Sequence, residues 1–218
     1  GDIIIRKGCQ GKGLGKIIAG KSIVGQFFES AVLTAGKDVQ ATYLLNCQLK
    51  ANGKLLVEGR KGVIIGGKTC AKLGVSCNGI GNIAEIATVV SVGIDKEDMT
   101  AYQELQKKIE QTQAELQTCE NGLNKLMANP VHDEKVSMMI QRLTRAVYTL
   151  KSSRKELFSE RNAQMEQMTK QKEARIQVSG RAYPGTLLFL NEDPFAIKEI
   201  YNNVEFVKHD NRIDTLAH

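Results

Sequence analysis

One phrase recurs through the first 94 residues: an apolar pair, a small residue, Gly-Lys, then another apolar residue. It reads Ile17-Ile18-Ala19-Gly20-Lys21-Ser22-Ile23, Val32-Leu33-Thr34-Ala35-Gly36-Lys37-Asp38-Val39, Leu49-Lys50-Ala51-Asn52-Gly53-Lys54-Leu55-Leu56 and Ile64-Ile65-Gly66-Gly67-Lys68-Thr69-Cys70. The Gly-Lys steps are 16, 17 and 14 residues apart, too short for a helical repeat. Such intervals suit one coil of a parallel β-solenoid, in which short strands alternate with tight turns and layers stack about 4.8 Å apart. Glycine then supplies the positive φ or close backbone approach that a recurring corner requires. Proline would delete a ladder hydrogen bond. All three prolines lie beyond residue 129, whereas seventeen of the twenty glycines lie in residues 1–94.

At Ile94 the pattern changes. Asp95 can cap a helix whose first turn holds Glu97 and Asp98, with Ile94 and Met99 at the two staple positions. A heptad follows through Tyr102, Leu105, Ile109, Thr112, Leu116, Cys119, Leu123 and Leu126, which is a coiled-coil seam. Asn129-Pro130 breaks it. A second run passes through Val136, Ile140, Leu143, Val147, Leu150 and Leu157, weakens at Arg161 and Gln164, and resumes at Met165 and Met168. The short break predicts an antiparallel hairpin whose first helix, residues 96–128, reaches roughly 50 Å.

After Arg175 strand-like texture returns in Ile176-Gln177-Val178, Tyr183 to Leu190, Val204 to Val207 and Ile213, the last two flanking His209-Asp210-Asn211. These strands are expected to cover the open last coil, which would otherwise expose unpaired backbone and an apolar end. The expected divisions are residues 1–94 for the coils, 95–177 for the hairpin and 178–218 for the return strands. The fold class is mainly β with a long α insertion: a parallel β-helix with a protruding antiparallel coiled-coil hairpin.

Charge follows the same divisions. Residues 1–94 hold twelve Lys/Arg against five Asp/Glu, residues 95–178 fourteen against thirteen, and the remainder four against six, so the net charge of +6 belongs to the coils. Those lysines barely interleave with aromatics, as a stacking platform for nucleic acid would need, so no specific nucleic-acid partner is expected. Binding to an anionic surface is the weaker option a basic head leaves open. Five cysteines (Cys9, Cys47, Cys70, Cys77, Cys119) form no CxxC pair and leave one over, which fits reduced thiols in a cytoplasm. The most apolar stretch, Ile83 to Ile94, has twelve residues including Glu85, so no transmembrane segment is expected. The chain begins at Gly1 without a methionine and reads as a cut-out piece of a longer protein.

Two stretches fit the phosphate-binding pattern G-x-x-x-x-G-K-[ST]: Gly15 to Ser22 and Gly62 to Thr69. With the coiled coil, and with Leu187 to Asp193 loosely like an acidic strand, they sketch the alternative of an ATPase head with an arm. A phosphate loop must follow a strand and open a helix. Here Ile17-Ile18 and Val63-Ile64-Ile65 are themselves strand-like, and Gly-Lys recurs without Ser/Thr at Lys37-Asp38 and Lys54-Leu55. The match is therefore read as a by-product of the repeat. A solenoid acyltransferase would need a general base in its coils, but His132, His209 and His218 all lie outside them. Cys70 and Cys77 have no His or Cys partner nearby and read as small buried hydrophobes; Met138, Met139, Met165 and Met168 read as seam filling, and Phe27-Phe28-Glu29 as packing at a corner. No catalytic, cofactor-binding or metal-binding residue is assigned, and no cofactor.

The ordered motifs Gly11-Lys12-Gly13-Leu14-Gly15-Lys16-Ile17-Ile18-Ala19-Gly20-Lys21-Ser22-Ile23, Gln26-Phe27-Phe28-Glu29-Ser30-Ala31-Val32, Gly62-Val63-Ile64-Ile65-Gly66-Gly67, Thr88-Val89-Val90-Ser91-Val92-Gly93 and Tyr183-Pro184-Gly185-Thr186, with the coiled coil between the last two, resemble the FapA family, flagellar assembly protein A. The resemblance covers essentially the whole chain and corresponds to the later coils of that family's solenoid. It implies a right-handed β-helix interrupted by an antiparallel coiled coil, in a cytoplasmic bacterial protein linked to flagellar assembly or polar localisation. It transfers no catalytic residue. The resulting expectation is a non-enzymatic scaffold that meets protein partners and self-associates through its solenoid or its coiled coil.

Overall fold

The computed structural model describes residues 1–128, 133–210 and 212–217. The chain divides into two compact units, residues 1–96 with 168–218, and residues 97–167.

The first unit is a β-solenoid. It begins with β1 (Ile3–Ala19), β2 (Ile23–Ala35), β3 (Val39–Ala41), β4 (Tyr43–Ala51), β5 (Leu55–Val57), β6 (Val63–Ala71), β7 (Val75–Ile80) and β8 (Thr88–Val92). Every pairing among these strands is parallel, so each side of a coil bonds to the same side of the next. On one side Ile3 lies opposite Ile23, Ile23 opposite Val39, Val39 opposite Leu55 and Leu55 opposite Val75. On another, Ile17 meets Leu33, Leu33 meets Leu49, Leu49 meets Thr69 and Thr69 meets Val90. Alternation turns every second residue inward, and stacking places inward residues over one another. Ile23, Val39, Leu55, Leu33, Leu44 and Ile64 are buried in this way and form the core.

Register corrects the repeat in two places. Gly36 donates its N–H to the Ala19 carbonyl and Lys37 to that of Lys21, so Gly20-Lys21 and Gly36-Lys37 are the same corner one coil apart. Asn52 donates to Ala35, which puts Gly53-Lys54 one residue late. Gly67 lies opposite Cys47 inside β6, so Gly67-Lys68 is no corner, and that coil turns at Lys72-Leu73-Gly74. The cause is the corner Glu58–Gly62, which lengthens that coil to the 20-residue offset between Leu55 and Val75, against 16 between Ile23 and Val39. Phe27-Phe28-Glu29 lies within a paired stretch of β2 opposite Tyr43-Leu44-Leu45, not at a corner. Phe28 is buried, while Phe27 stacks outside on Tyr43 with ring centroids 5.5 Å apart.

Beyond the helices, β9 (Ile176–Ala182) lies parallel on β7 and β10 (Thr186–Leu190) parallel on β8, so the returning chain first completes another layer. Only then does direction reverse. β11 (Asp193–Ala196) runs antiparallel to β10, β12 (Tyr201–His209) antiparallel to β9, and β13 (Arg212–Ala217) antiparallel to β12. Phe206 sits opposite Ile176 and is fully buried, with the rings of Phe195 and Tyr201 at 5.5 and 5.7 Å from it. The end of the stack therefore carries an aromatic cover.

The second unit is helical, formed by most of α1 (Lys96–Met127) and α2 (Glu134–Lys172). Asp133 accepts the Val136 N–H at 2.8 Å and caps α2. Leu105, Ile109, Leu116 and Val147 of the heptad are buried. Gln113 meets Arg154 and Glu120 meets Lys151, both at 2.8 Å, and the Asp98 carbonyl accepts from Gln164, so numbers fall on α2 as they rise on α1. The break at Asn129-Pro130 lies outside the described residues, as does Asn211.

Leu55 lies wholly inside the stack between Val39 and Val75. Leu55→Ala leaves a hole that the flanking layers cannot close without breaking register, and is expected to cost about 2–5 kcal/mol. Chemical denaturation of the variant against wild type, with an unchanged m-value, measures it.

Candidate functional site

The corner after the third side of each coil decides where the chain can leave the stack. In earlier coils it is three residues long: Gly36–Asp38, Asn52–Lys54 and Lys72–Gly74 lie between consecutive strands. After Val92 the same corner holds both helices, and the first side resumes at Ile176, opposite Val75.

Asn191 fastens this opening. Its N–H donates to the Val92 carbonyl at 2.9 Å, its Oδ1 accepts the Ile94 N–H at 2.9 Å, and its Nδ2 donates to the Lys172 carbonyl at 3.2 Å. One side chain thus bonds the segment leaving the solenoid and the segment re-entering it. The backbone of Asn191 has φ 50°, a left-handed value that asparagine tolerates better than most residues. Gly93 faces it at φ 88°, where a Cβ would lie 2.0 Å from Asn191 Oδ1. Beside the clamp, Glu192 accepts the Lys96 N–H at 3.2 Å, and the Asp95 carboxylate lies 3.8 Å from Lys72 and 3.9 Å from Lys50. On the re-entering side Arg175 bonds Glu205 at 3.0 Å. Sequence reasoning read Leu187 to Asp193 only as a loose acidic strand. The signal for Asn191 was present as an asparagine one residue beyond an apolar strand, but its partners are about 20 and 97 residues away.

Neither phosphate-loop match builds a phosphate cradle. Gly15 to Ala19 lies in β1, Gly20 to Ser22 turns into β2, and Val63 to Thr69 lies in β6, so none of them opens a helix. Their N–H groups are already used: Ser22 donates to the Asp2 carboxylate at 2.9 Å, and Gly66 donates to Thr88 Oγ1 at 2.9 Å. An anion at the first would meet a carboxylate whose pKa that Ser22 N–H holds low. The ATPase alternative has no support in this geometry.

The other singled-out residues stay apart. His209 is exposed at the end of β12, and His132 and His218 lie outside the described residues. Among the described residues no three His, Cys, Asp or Glu side chains gather as metal ligands. All five thiols are free. Burial pushes up the thiols of Cys47 and Cys70, and that of Cys77 up to about 12. A groove of about 500 Å³ runs past Lys54, Leu56, Ser76, Lys170, Glu173 and Arg175, but the Arg175 guanidinium is taken by Glu205. No helix among the described residues is long and apolar enough to cross a membrane.

Two outcomes follow from this geometry. Asn191→Gly keeps the left-handed backbone accessible while removing both side-chain bonds, and is expected to lower stability by about 1–3 kcal/mol in thermal unfolding. Cys77 stays a neutral thiol in the fold, so its contribution to stability is complete below the unfolded thiol pKa and is lost as pH rises from there through about 12. Maleimide labelling at mildly alkaline pH, read by mass spectrometry, should leave Cys77 unmodified until denaturant is added.

The model of the FapA family, described as the Flagellar Assembly Protein A beta solenoid domain, matches residues 1–213. No curated protein and no solved structure matches the chain. The matched residues run from the first parallel coil through the helical insertion into the closing strands, and on that near-complete coverage the chain belongs to the FapA β-solenoid family.

Proposed function

We propose that the chain is a non-enzymatic scaffold for protein assembly, in keeping with the flagellar-assembly name of its family. The observation that carries this reading is the use of the polar groups. At the corners and at the root of the insertion, side-chain acceptors and backbone N–H groups bond one another and hold the stack, and among the described residues no acid, base and nucleophile are assembled around a cavity. A rigid rod of parallel layers presents flat faces, which suits docking more than turnover. The two helices serve in this reading as an antiparallel coiled-coil arm, supported by the opposed order of Gln113–Arg154 and Glu120–Lys151. Its exterior leaves Met127, Met138, Met139 and Tyr148 exposed, Tyr148 at 79%, and such side chains outside a seam suit protein contact. Self-association, through the arm or through the solenoid, and location at the cell pole belong to the same proposal. The free thiols fit a reducing cytoplasm. Right-handed winding of the coils comes from the family resemblance.

Replacing residues 97–167 by a short linker tests the arm. The variant should keep the β-sheet circular dichroism of the solenoid while losing oligomers in sedimentation velocity and partners in pull-downs from cells of the source bacterium. An association profile identical to wild type would remove the arm from the account.

A further inference from the structure

We propose that one side of the solenoid lies on an anionic lipid surface. This goes beyond the scaffold reading and does not depend on the arm. The side is built from residues 15–19, 31–35, 47–51, 67–71, 88–92 and 186–190, which pair in parallel, layer on layer. Alternation turns Leu33, Leu49 and Val90 into the core, so the residues flanking them in each strand point outward. Register stacks those outward residues in two columns. One runs through Lys16, Val32, Gln48, Lys68 and Val89, the other through Thr34, Lys50, Cys70 and Ser91, and neither contains a carboxylate. The corner that follows this side adds Lys21, Lys37 and Lys54 along its edge in successive coils. Because these lysines stand on the side of the stack and not at its end, layers added above or below would leave them outward.

Charge and the lack of apolar anchors select the occupant. Lys16, Lys21, Lys37, Lys54 and Lys68 are all exposed, and none makes an ion pair among the described residues. The carboxylates that border the side are occupied. Asp95 meets Lys72 and Lys50, Glu192 meets Lys96, Asp193 meets Lys208, and Asp38 accepts the Lys54 N–H. Asp2, whose charge Lys21 and Lys37 also attract, accepts the Ser22 N–H. Apart from Ile18, no large hydrophobic of this side is exposed among the described residues, so a protein partner would lack the apolar anchor around which a specific interface forms. Phe189 is the one aromatic among the outward residues and is half-buried, so bases would find no row of rings to stack on. Lys16 and Lys68 are three layers apart, about 14 Å, and a headgroup layer is a plane of spread charge that needs no pocket. Each lysine brought to such a surface adds its own increment of attraction.

Co-sedimentation of the full chain with lipid vesicles tests the site. Binding is expected to vesicles of phosphatidylcholine mixed with phosphatidylglycerol, not to phosphatidylcholine alone, and should fall as salt is raised. Lys16→Glu combined with Lys68→Glu should weaken it about ten-fold or more. Lys37→Glu combined with Lys54→Glu is the independent second pair, and unchanged melting of each shows that it folds. Lys7→Glu combined with Arg60→Glu changes the net charge equally at a different corner and should leave binding within about two-fold. The proposal is overturned by no binding to the mixed vesicles, by an equal loss in the Lys7 and Arg60 pair, or by an oligonucleotide or soluble acidic polypeptide that binds more tightly than the vesicles do. Absence of vesicle binding with arm-dependent association intact refutes the lipid site and leaves the scaffold reading standing.

Discussion

Hydrogen bonding between parallel layers is the constraint from which the rest of this molecule follows. Each side of a coil is bonded to the layers above and below, so its length and register cannot change without orphaning backbone groups in the interior. Corners carry no such obligation. The long extensions are accordingly found at corners: Glu58–Gly62, the loop between β7 and β8, and the helical insertion after Val92 leave the paired sides that follow them in register. Loop-closure entropy grows only slowly with length, so even a very long insertion is tolerable if its ends are held. Asn191 holds them, and the solenoid resumes with Ile176 opposite Val75 as though the corner were short.

The same constraint disposes of the chemistry the motifs suggested. A phosphate loop works because its N–H groups are free, and in a stack of layers they are not. The N–H groups of Ser22, Gly36, Lys37 and Gly53 are spent on the neighbouring layer. Polar side chains at the corners serve equally local ends: Asp2 and Asp38 accept N–H groups of Ser22 and Lys54. Cysteines placed inward, such as Cys47 and Cys77, behave as small apolar groups whose thiols burial keeps protonated.

Much of this was legible before any coordinates. Glycine corners without proline specify parallel coils, because the need for tight turns and unbroken ladders acts on each coil alike. The heptad from Tyr102 to Leu126 specifies a helix of nearly the observed extent, since a seam is a local periodicity. The return of strands after Arg175 was legible for the same reason. Misreadings arose where local similarity and spatial register part company. Gly67-Lys68 repeats the corner phrase but lies mid-strand, because the four residues by which Glu58–Gly62 exceeds a normal corner had already shifted the frame. Phe27-Phe28 resembles a corner cluster, yet one ring points into the core and the other stacks outside on Tyr43.

Local pattern by itself therefore determined the class of fold, the presence of the two helices and the absence of a helix-opening phosphate loop, because period, glycine placement and strand propensity are properties of neighbours in the chain. Tertiary structure alone decided which residues lie above one another, that the tail adds a full layer before it caps the stack, and that Asn191 joins both ends of the insertion. Those outcomes depend on pairings between residues from 16 to about 100 positions apart, and such distances are settled by hydrogen-bond register and core packing, to which no short window of sequence is sensitive.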